Sequence, residues 1–430
     1  MLPHCFSNLT SLRELEILRN HFQILFSFES FANLSNLKFF WSNENKMVME
    51  PSFYTSIRKF QLEAISLSKC ITSQQLNLKL PTFHYYQRLF LFKNAFEGNI
   101  PLCLSGMKDL SFLDLSNNQF YGKLPEELIA KVSLTILRLS NNNLSGNVVP
   151  AVLNVNGVQN LYLDGNNFSG DMTNVDVSTF ELALSDNGFE DSIPMEFCKL
   201  NRLEFLDLSQ NHLFGSIPSC FNPPNIEHAH LYGNRLRGPL LLAFYNSSSL
   251  VTLDLRRNNL AVPIQLCKLH SLSIIDLSQN MFSGPIPSCL RNLSLPMQTT
   301  KILEILFYRP SIEEDEPTRI MIGNLEMDSY YPVSYLEEVI DFTTKSGLYS
   351  YKGNIISYMI GIDLSCNNLT GHILPKLGNL SEIHSLNLSH NKFIGVIPSS
   401  FSKLQYIESL DLSYNNLSGK IPNQLVDLNS

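Results

Sequence analysis

The sequence lacks long apolar runs, a basic charge balance and a high density of charge. No stretch of 18 or more apolar residues occurs in its 430 residues, so no membrane-spanning helix is predicted within them. The formal net charge is -8, which argues against a nucleic-acid partner, since such a partner requires a basic surface. Only 16% of the residues are charged and 44% are hydrophobic, so a disordered chain is excluded too.

Catalytic signatures are also missing. There is no GxSxG, no HExxH, no phosphate loop and no kinase motif set. Acidic residues cluster only in the run 313–316 and in a repeated Asp position, and both are expected to be solvated. His228 and His230 share one strand face, but no third ligand is within evident reach, so surface histidines are favoured over a metal site. We predict neither an enzyme nor a bound cofactor.

A pattern with a period near 24 residues fills most of the chain. It has the form LxxLxLxxNxLxGxIP, and one copy starts at Leu110 and ends at Pro125. The pattern asparagine recurs at Asn20, Asn45, Asn94, Asn118, Asn142, Asn166, Asn187, Asn211, Asn234, Asn258, Asn280, Asn367, Asn391 and Asn415, and Cys70 takes its place in one degenerate coil. The alternating leucines predict a short strand with leucine inward. Fifteen copies in phase predict an α/β leucine-rich-repeat solenoid with a concave parallel β-sheet.

One interruption divides the repeats. Asn280 and Asn367 are 87 residues apart, which exceeds one 24-residue period by about 63 residues. We therefore predict about 12 coils in 1–287, an island segment in 288–358, and three coils with the start of a fourth in 359–430. Long insertions are usually solvated spacers or functional segments. The many tyrosines of this insertion favour the second interpretation.

The Gly-x-Ile-Pro ending of the repeat resembles plant extracellular leucine-rich repeats. Before the last coils stands Lys345-Ser346-Gly347-Leu348-Tyr349-Ser350-Tyr351-Lys352-Gly353. The repeat resemblance covers almost the whole chain. The run itself, with its Lys345 and its Tyr351-Lys352-Gly353, resembles the end of the island in plant receptor-like proteins. That family usually has four repeats after the island, whereas three are present here.

The resemblance implies a function. Such proteins are kinase-less cell-surface receptors on the extracellular side of the plasma membrane. They bind a peptide or elicitor and signal in defence or development through a partner receptor kinase and a co-receptor kinase. Two alternatives remain open: a secreted inhibitor of a cell-wall-degrading enzyme and a truncated, non-signalling decoy. Inhibitors of this repeat type lack a long island, so the receptor is favoured.

The outward strand positions indicate where a ligand would bind. Exposed aromatic residues and arginine are typical of binding hot spots. Over the first two thirds of the chain these positions depart from the plain Asp-Leu-Ser pattern that dominates later coils. We predict that the ligand contacts Trp41, Phe90, Phe92, Arg138, Tyr162, Asp164, His228, His230, Tyr232 and Arg256.

Two cysteine pairs share one sequence frame. Cys198-Lys199-Leu200 and Cys267-Lys268-Leu269 are each followed, 22 residues later, by the cysteine of a Pro-Ser-Cys triplet, Cys220 and Cys289. Nearly one period apart, the members of each pair lie on adjacent coils at a spacing that suits a disulfide. We predict disulfides Cys198–Cys220 and Cys267–Cys289, the alternative being buried free thiols. Cys70 and Cys366 are interpreted as free thiols.

Ten N-glycosylation sequons accompany these cysteines and suggest secretion. They lie at Asn8, Asn33, Asn143, Asn167, Asn246, Asn292, Asn368, Asn379, Asn387 and Asn416. Asn387 falls on a strand, where a glycan would cover the concave surface. The first residues do not resemble a signal peptide, and Cys5 has the frame of a second disulfide member without its partner. We therefore expect a piece of a receptor ectodomain that lacks signal peptide and membrane anchor.

Overall fold

The fold is a stack of coils divided into two compact units. The computed structural model describes residues 8–25, 31, 33–48, 62–70, 76–77, 86–131, 134–147, 157–172, 179–238, 243–244, 246–261, 271–286, 290, 320–322, 325–327, 339–344, 347–352 and 359–428. Unit 1 comprises 1–238 and 242–247, and unit 2 comprises 239–241 and 248–430.

Each coil contributes one three-residue strand to a parallel sheet, which we call the first row. In unit 1 these strands are Glu14–Glu16, Phe39–Trp41, Ala64–Ser66, Arg88–Phe90, Phe112–Asp114, Ile136–Arg138, Asn160–Tyr162, Glu181–Ala183, Phe205–Asp207 and His228–His230. In unit 2 they are Thr252–Asp254, Ile274–Asp276, Gly361–Asp363, Ser385–Asn387 and Ser409–Asp411. The middle residue of each strand is apolar and points into the coil, so its two neighbours point outward. The predicted parallel-sheet solenoid is confirmed.

Shorter elements complete the coils. The second-row strands are Gln23–Leu25, Lys46–Val48, Leu76–Asn77, Phe96–Gly98, Gln119–Gly122, Asn143–Asn147, Asn167–Gly170, Gly188–Ser192, His212–Gly215, Arg235–Gly238, Asn259–Leu260, Ser283–Gly284, Asn368–His372, Lys392–Gly395 and Asn416–Leu417. One α-helix spans Glu126–Lys131, and 3-10 helices span Leu102–Gly106, Met195–Lys199, Pro375–Asn379, Ser399–Lys403 and Asn423–Asp427. Two antiparallel pairs lie in the island: Ile320–Ile322 with Leu325–Met327, and Val339–Thr344 with Gly347–Lys352.

The repeat asparagines link neighbouring coils. The Asn118 amide donates hydrogen bonds to the carbonyl oxygens of Leu115 and, one coil earlier, Leu91, both at 2.9 Å. Its side-chain oxygen accepts the backbone N–H of Phe96 at 3.1 Å. These bonds satisfy backbone groups that would otherwise be buried without partners, which is why the pattern requires an amide at this position.

The residue before this position adopts a left-handed backbone in every coil. Its φ lies between 49° and 67° at Arg19, Glu44, Lys69, Lys93, Asn117, Asn141, Gly165, Asp186, Gln210, Gly233, Arg257, Gln279, Cys366, His390 and Tyr414. Only two of these are glycine, although this conformation normally favours glycine or asparagine. The repeated turn, rather than the local residue type, therefore imposes the conformation.

In unit 2 the coils on either side of the island are direct neighbours. Strand Ile274–Asp276 pairs in parallel with Gly361–Asp363, and Ser283–Gly284 pairs with Asn368–His372. The residues between them therefore form an insertion between two stacked coils. The predicted boundary at 287/288 lies outside the described residues.

Candidate functional site

The outward side chains of the unit 1 first row form a surface that we call the strand face. It corresponds to the concave surface predicted to bind a ligand. Trp41, Phe90, Arg138, Tyr162 and His230 all lie on it, but each is at most 7% exposed. The expectation that these five are exposed is wrong. Neighbouring strands are only about 4.8 Å apart, so large outward side chains cover one another instead of projecting into solvent.

Four of these side chains pack with Phe112 into a continuous row that we call the aromatic stack. Its members are Trp41, Phe90, Phe112, Arg138 and Tyr162. The ring centroids of Trp41 and Phe90 are 6.1 Å apart, and those of Phe90 and Phe112 are 4.6 Å apart. The Arg138 guanidinium lies 5.5 Å from the Phe112 ring centroid and 4.6 Å from that of Tyr162. Both contacts are within cation–π range. The stack thus gives the strand face a packed base.

Hydrogen bonds fix both ends of the aromatic stack. Trp41 donates its indole N–H to the Glu14 carboxylate at 2.9 Å. The Tyr162 hydroxyl donates to the carboxylate of Glu181 on the next strand. Burial and the nearby Glu181 charge both raise the pKa of Tyr162, so its hydroxyl stays protonated. The stack is therefore a preorganised structural element rather than a set of free contact residues.

Phe112 is not among the predicted contacts because it lies at the outward position before the central leucine, whereas most of those contacts lie after it. The outward position before it contributes Phe39, Phe112 and Phe205. The same period, taken one residue before each central leucine, could have found them. Phe39 is half-buried and stacks on Trp41 with ring centroids 6.5 Å apart.

Acidic groups along the strand face have perturbed ionisation. Burial raises the pKa of Asp114, which the Arg138 charge and hydrogen bonds from Ser116 partly oppose. Burial, together with the charges of Asp207 and Asp186, raises the pKa of Asp164 to about 6 although Ser140 donates to it at 2.6 Å. Asp164 consequently changes charge in the mildly acidic range.

Solvent reaches only part of the predicted ligand set. Phe92, Asp164, His228 and Tyr232 are half-buried, so each presents some surface. The Gln210 side-chain amide donates to the Tyr232 hydroxyl at 3.2 Å. Further half-buried positions that sequence reasoning did not include lie beside them: Phe39, Arg88, Asn160, Glu181 and Asp207. The accessible rim is therefore more polar than the predicted surface.

The two predicted surface histidines differ in environment. His230 is 6% exposed and its ring lies edge-on to Phe205, at 5.7 Å between centroids. His228 is half-buried, with its ring centroid 6.3 Å from that of Phe205. Within the described residues no group of three or more His, Cys, Asp or Glu side chains is placed to hold a metal ion.

Unit 2 uses the predicted ligand residue Arg256 differently. Its side chain is 6% exposed and its guanidinium donates to the backbone carbonyl of Asp341 in the island. It also lies 3.5 Å from carboxylate oxygens of Asp254 and Asp341 and 3.7 Å from Asp276. The expectation that Arg256 is exposed is therefore wrong, because the island hairpin already occupies this guanidinium.

Three aspartates at the repeated position are buried in unit 2, contrary to the expectation of a solvated column. Asp254 is 5% exposed, and Asp276 and Asp363 are each 1% exposed. The Asp276 carboxylate accepts the Ser278 hydroxyl at 2.6 Å and the Ser278 N–H at 3.0 Å. The Asp-Leu-Ser pattern thus supplies Asp276 and Asp363 with a donor two residues later, and at Asp254 the backbone N–H of Arg256 takes that place.

Part of the predicted island motif is visible in the hairpin. The Tyr351 hydroxyl forms a 2.7 Å hydrogen bond with that of Thr344 on the opposite strand. Lys352 ends the second strand, paired with Val339. Lys345 and Gly353 lie outside the described residues.

Comparison with solved structures places the fold among plant receptor ectodomains. The ectodomain of the Arabidopsis receptor kinase HAESA, solved with an IDA peptide hormone, superposes with a TM-score of 0.75 at 24% identity, over 99% of this chain and 62% of that one. A TDR receptor gives a TM-score of 0.74 at 22% identity, over 98% and 63%. Leucine-rich-repeat family models match residues 109–130, 133–155, 202–223, 271–293 and 381–430. This is a leucine-rich-repeat protein.

Sequence relatives of this leucine-rich-repeat protein are plant receptor-like proteins. Cuscuta receptor 1 of Solanum lycopersicum is 32% identical over 88% of this chain and 46% of its own length. Receptor-like protein 32 of Arabidopsis thaliana is 32% identical over 46% of this chain and 26% of its own length. The chain spans less than half the length of these relatives. Among the described residues, no helix has the length and apolar character needed to cross a membrane.

One of the two predicted disulfides is present in the structure. Cys198 and Cys220 form a disulfide with Cα atoms 5.3 Å apart. Cys267 and Cys289 lie outside the described residues. Cys70 is a buried free thiol whose pKa burial raises to about 11, and Cys366 is an exposed free thiol.

The sequons fall into accessible and inaccessible sites. The exposed ones are Asn8, Asn33, Asn143, Asn167, Asn246, Asn368, Asn379 and Asn416. Asn292 lies outside the described residues. Asn387 is 6% exposed, donates to Asp363 at 3.0 Å and accepts the Ser389 hydroxyl at 2.8 Å. A glycan at Asn387 is therefore incompatible with the folded chain, which corrects that prediction.

Proposed function

We propose that this chain is the extracellular part of a plant receptor-like protein that binds a peptide or another elicitor along the strand face of unit 1. It acts at the plasma membrane and signals in defence or development through a partner receptor kinase and a co-receptor kinase. The relatives named as receptors support this role. So does the fold of HAESA, a receptor that has been solved with the peptide hormone IDA and the co-receptor SERK1.

The observation that carries the proposal is the combination of a packed base and an accessible rim. The aromatic stack holds its side chains in one arrangement, so a ligand would not have to order them on binding. Phe92, Asp164, His228 and Tyr232 offer aromatic surface and hydrogen-bonding groups on three coils of unit 1, with two coils between each of these and the next. An extended ligand that crosses the strands could contact all four.

A binding experiment with matched variants tests this role. The secreted chain is immobilised and exposed to peptide fractions below about 3 kDa from plant and pathogen culture fluids, and bound peptides are identified by mass spectrometry. Replacement of Phe92, Asp164, His228 and Tyr232 by alanine should abolish capture. The control replaces Tyr121 and Phe214, which are 52% and 43% exposed on second-row strands, and should capture normally.

Two outcomes would contradict the proposal. Equal capture by both variants would remove the strand face as the binding surface. In a parallel capture from the unfractionated culture fluids, recovery of an intact cell-wall-degrading enzyme together with loss of its activity would support a secreted inhibitor instead of a receptor.

A further inference from the structure

The island hairpin, Val339–Thr344 with Gly347–Lys352, lies on the first row of unit 2. Ile340 and Phe342 share one buried cluster with Ile274 and Met359. The Phe342 ring covers Gly361 so closely that a Cβ there would lie 2.4 Å from it. The Ser385 hydroxyl donates to the carbonyl oxygen of Thr343 at 3.4 Å. The hairpin therefore covers outward positions on three successive strands.

Arg256 provides the charged part of this contact. It joins the hairpin residue Asp341 to the buried carboxylates of Asp254 and Asp276. Asp341 is the more exposed partner, with 32% of its side chain accessible, whereas the Asp276 side chain is 1% accessible. One positive charge thus serves three carboxylates, and one of these belongs to the hairpin.

Asp276 and Asp363 lie on two of the strands that the hairpin covers. They occupy paired positions on neighbouring strands and both are buried. Among the residues that the structure describes, the buried Oδ2 atom of Asp276 has no hydrogen-bond partner, and the Arg256 guanidinium lies 3.7 Å from it. Because Asp276 and Asp363 lie on neighbouring strands, their carboxylates repel each other when both are ionised. A proton bound by one of them removes this repulsion.

We propose that the hairpin is a proton-controlled cover, which docks on unit 2 when Asp276 and Asp363 share a proton and comes away more readily when both are ionised. Undocking hydrates the two carboxylates and uncovers the apolar surface around Ile274 and Gly361. This device acts on the island itself and does not depend on the ligand-binding role proposed for unit 1.

The sign of the effect follows from linkage between docking and ionisation. Burial and the charge of Asp276 raise the pKa of Asp363 to about 7, and burial also raises the pKa of Asp276. A carboxylic acid whose pKa is raised on docking favours the docked state while protonated. That contribution is complete at acid pH and is lost as the pH rises through about 7. Between pH 6 and pH 8 the docking equilibrium should fall about tenfold.

Other charged groups surround the pair. Asp254, Arg256 and Arg257 approach from the preceding coil, and Asp341 approaches from the hairpin. Hydrogen bonds from Ser278 and the attraction of Arg256 and Arg257 lower the pKa of Asp276 but do not cancel the effect of burial. Two strands past Asp363 in the sheet, Asp411 occupies the same outward position but is half-buried, so it serves as a control.

Hydrogen exchange of the whole chain tests the cover. Exchange of a peptide spanning 339–352 is followed by mass spectrometry from pH 5.5 to pH 8.5, with rates corrected for the intrinsic pH dependence of exchange. Protection of the wild-type hairpin should fall about tenfold between pH 6 and pH 8. Asp276→Asn removes one of the two charges but leaves Asp363 buried, so its protection should fall clearly less than that of the wild type across this range.

Three further variants make the outcome decisive. Asp411→Asn should reproduce the wild-type pH profile, and Gly361→Ala should lose hairpin protection at every pH because its Cβ would meet Phe342. Asp363→Asn replaces Asp276→Asn if protection of the Ser385–Asn387 strand shows that the latter is unfolded. A flat wild-type profile overturns the proposal, as does an unchanged pH dependence in the folded asparagine variant.

Discussion

The side-chain amide of Asn367 donates a 3.0 Å hydrogen bond to the carbonyl oxygen of Leu277, 90 residues earlier in the chain. Its side-chain oxygen accepts the backbone N–H of Phe282, also at 3.0 Å. The first asparagine after the island thus makes the same two bonds to the coil before it that Asn118 makes to its own neighbour. In unit 2 the coils before and after the island are therefore joined by the same asparagine hydrogen bonds that join other neighbouring coils.

Replacement of Asn367 by alanine should destabilise unit 2 by about 1–3 kcal/mol, because several buried backbone groups lose their partner. The exposed neighbour Asn368 provides the control, and Asn368→Ala should change stability by less than about 0.5 kcal/mol. Urea unfolding followed by circular dichroism measures both. Equal midpoints for the two variants would show that the inter-coil bonds of Asn367 do not support the fold.

The sequence predicted where each coil and its strand lie, because each coil needs its own leucines and asparagine at fixed spacing. It did not predict the burial of Arg138 or Tyr162, since that depends on which side chains occupy the neighbouring strands. The contact between Arg256 and Asp341 was also beyond sequence reasoning, because the partners are 85 residues apart and belong to different elements. Local periodicity therefore located the candidate surface but not its accessibility.

Removal of the Cys198–Cys220 disulfide should destabilise unit 1 by roughly 3 kcal/mol in the chain-entropy model, since the bond closes a loop of 22 residues. The Cys198→Ser/Cys220→Ser variant is compared with the wild type by urea unfolding, with and without reductant. Reductant should lower the wild-type midpoint but leave this unit 1 transition unchanged in the variant. Non-reducing peptide mapping should also recover the predicted Cys267–Cys289 pair, and finding those two thiols free would contradict that pairing.

The free thiols Cys70 and Cys366 should differ in reactivity. Cys366 is exposed, so iodoacetamide should modify it in the native chain. Cys70 is buried and its pKa is raised to about 11, so little thiolate is present at pH 8 and modification should require denaturant. Mass spectrometry after timed alkylation measures both rates. Comparable native rates would mean that the coil around Cys70 opens readily.

Glycan occupancy should follow exposure. Asn143 and Asn167 are exposed on second-row strands and should carry glycans when the chain is secreted from plant cells. Asn387 should remain unmodified because its amide is buried and hydrogen-bonded. Glycopeptide mapping with glycosidase-dependent deamidation distinguishes the sites. A glycan at Asn387 in the folded protein would contradict the packing described here.

Arg138 should stabilise unit 1 chiefly by compensating the buried Asp114. Asp114 is 1% exposed, and the Arg138 charge opposes the rise in its pKa that burial causes. Arg138→Gln removes that compensation, so the pKa of Asp114 should rise further. A carboxyl group with a raised pKa favours the folded state only while it is protonated. The loss in the free energy of unfolding of unit 1 should therefore be small near pH 5 and grow as the pH rises. We expect about 3–5 kcal/mol at pH 8.

A double-mutant cycle separates this electrostatic effect from lost stacking on Phe112 and Tyr162. Asp114→Asn removes the charge that requires compensation. In that background, Arg138→Gln should lower the free energy of unfolding by the same amount at pH 5 and at pH 8. That remaining cost measures the stacking alone, since Gln retains no guanidinium plane. If Arg138→Gln in the wild-type background also costs the same at both pH values, Arg138 acts through packing and Asp114 is protonated throughout this range.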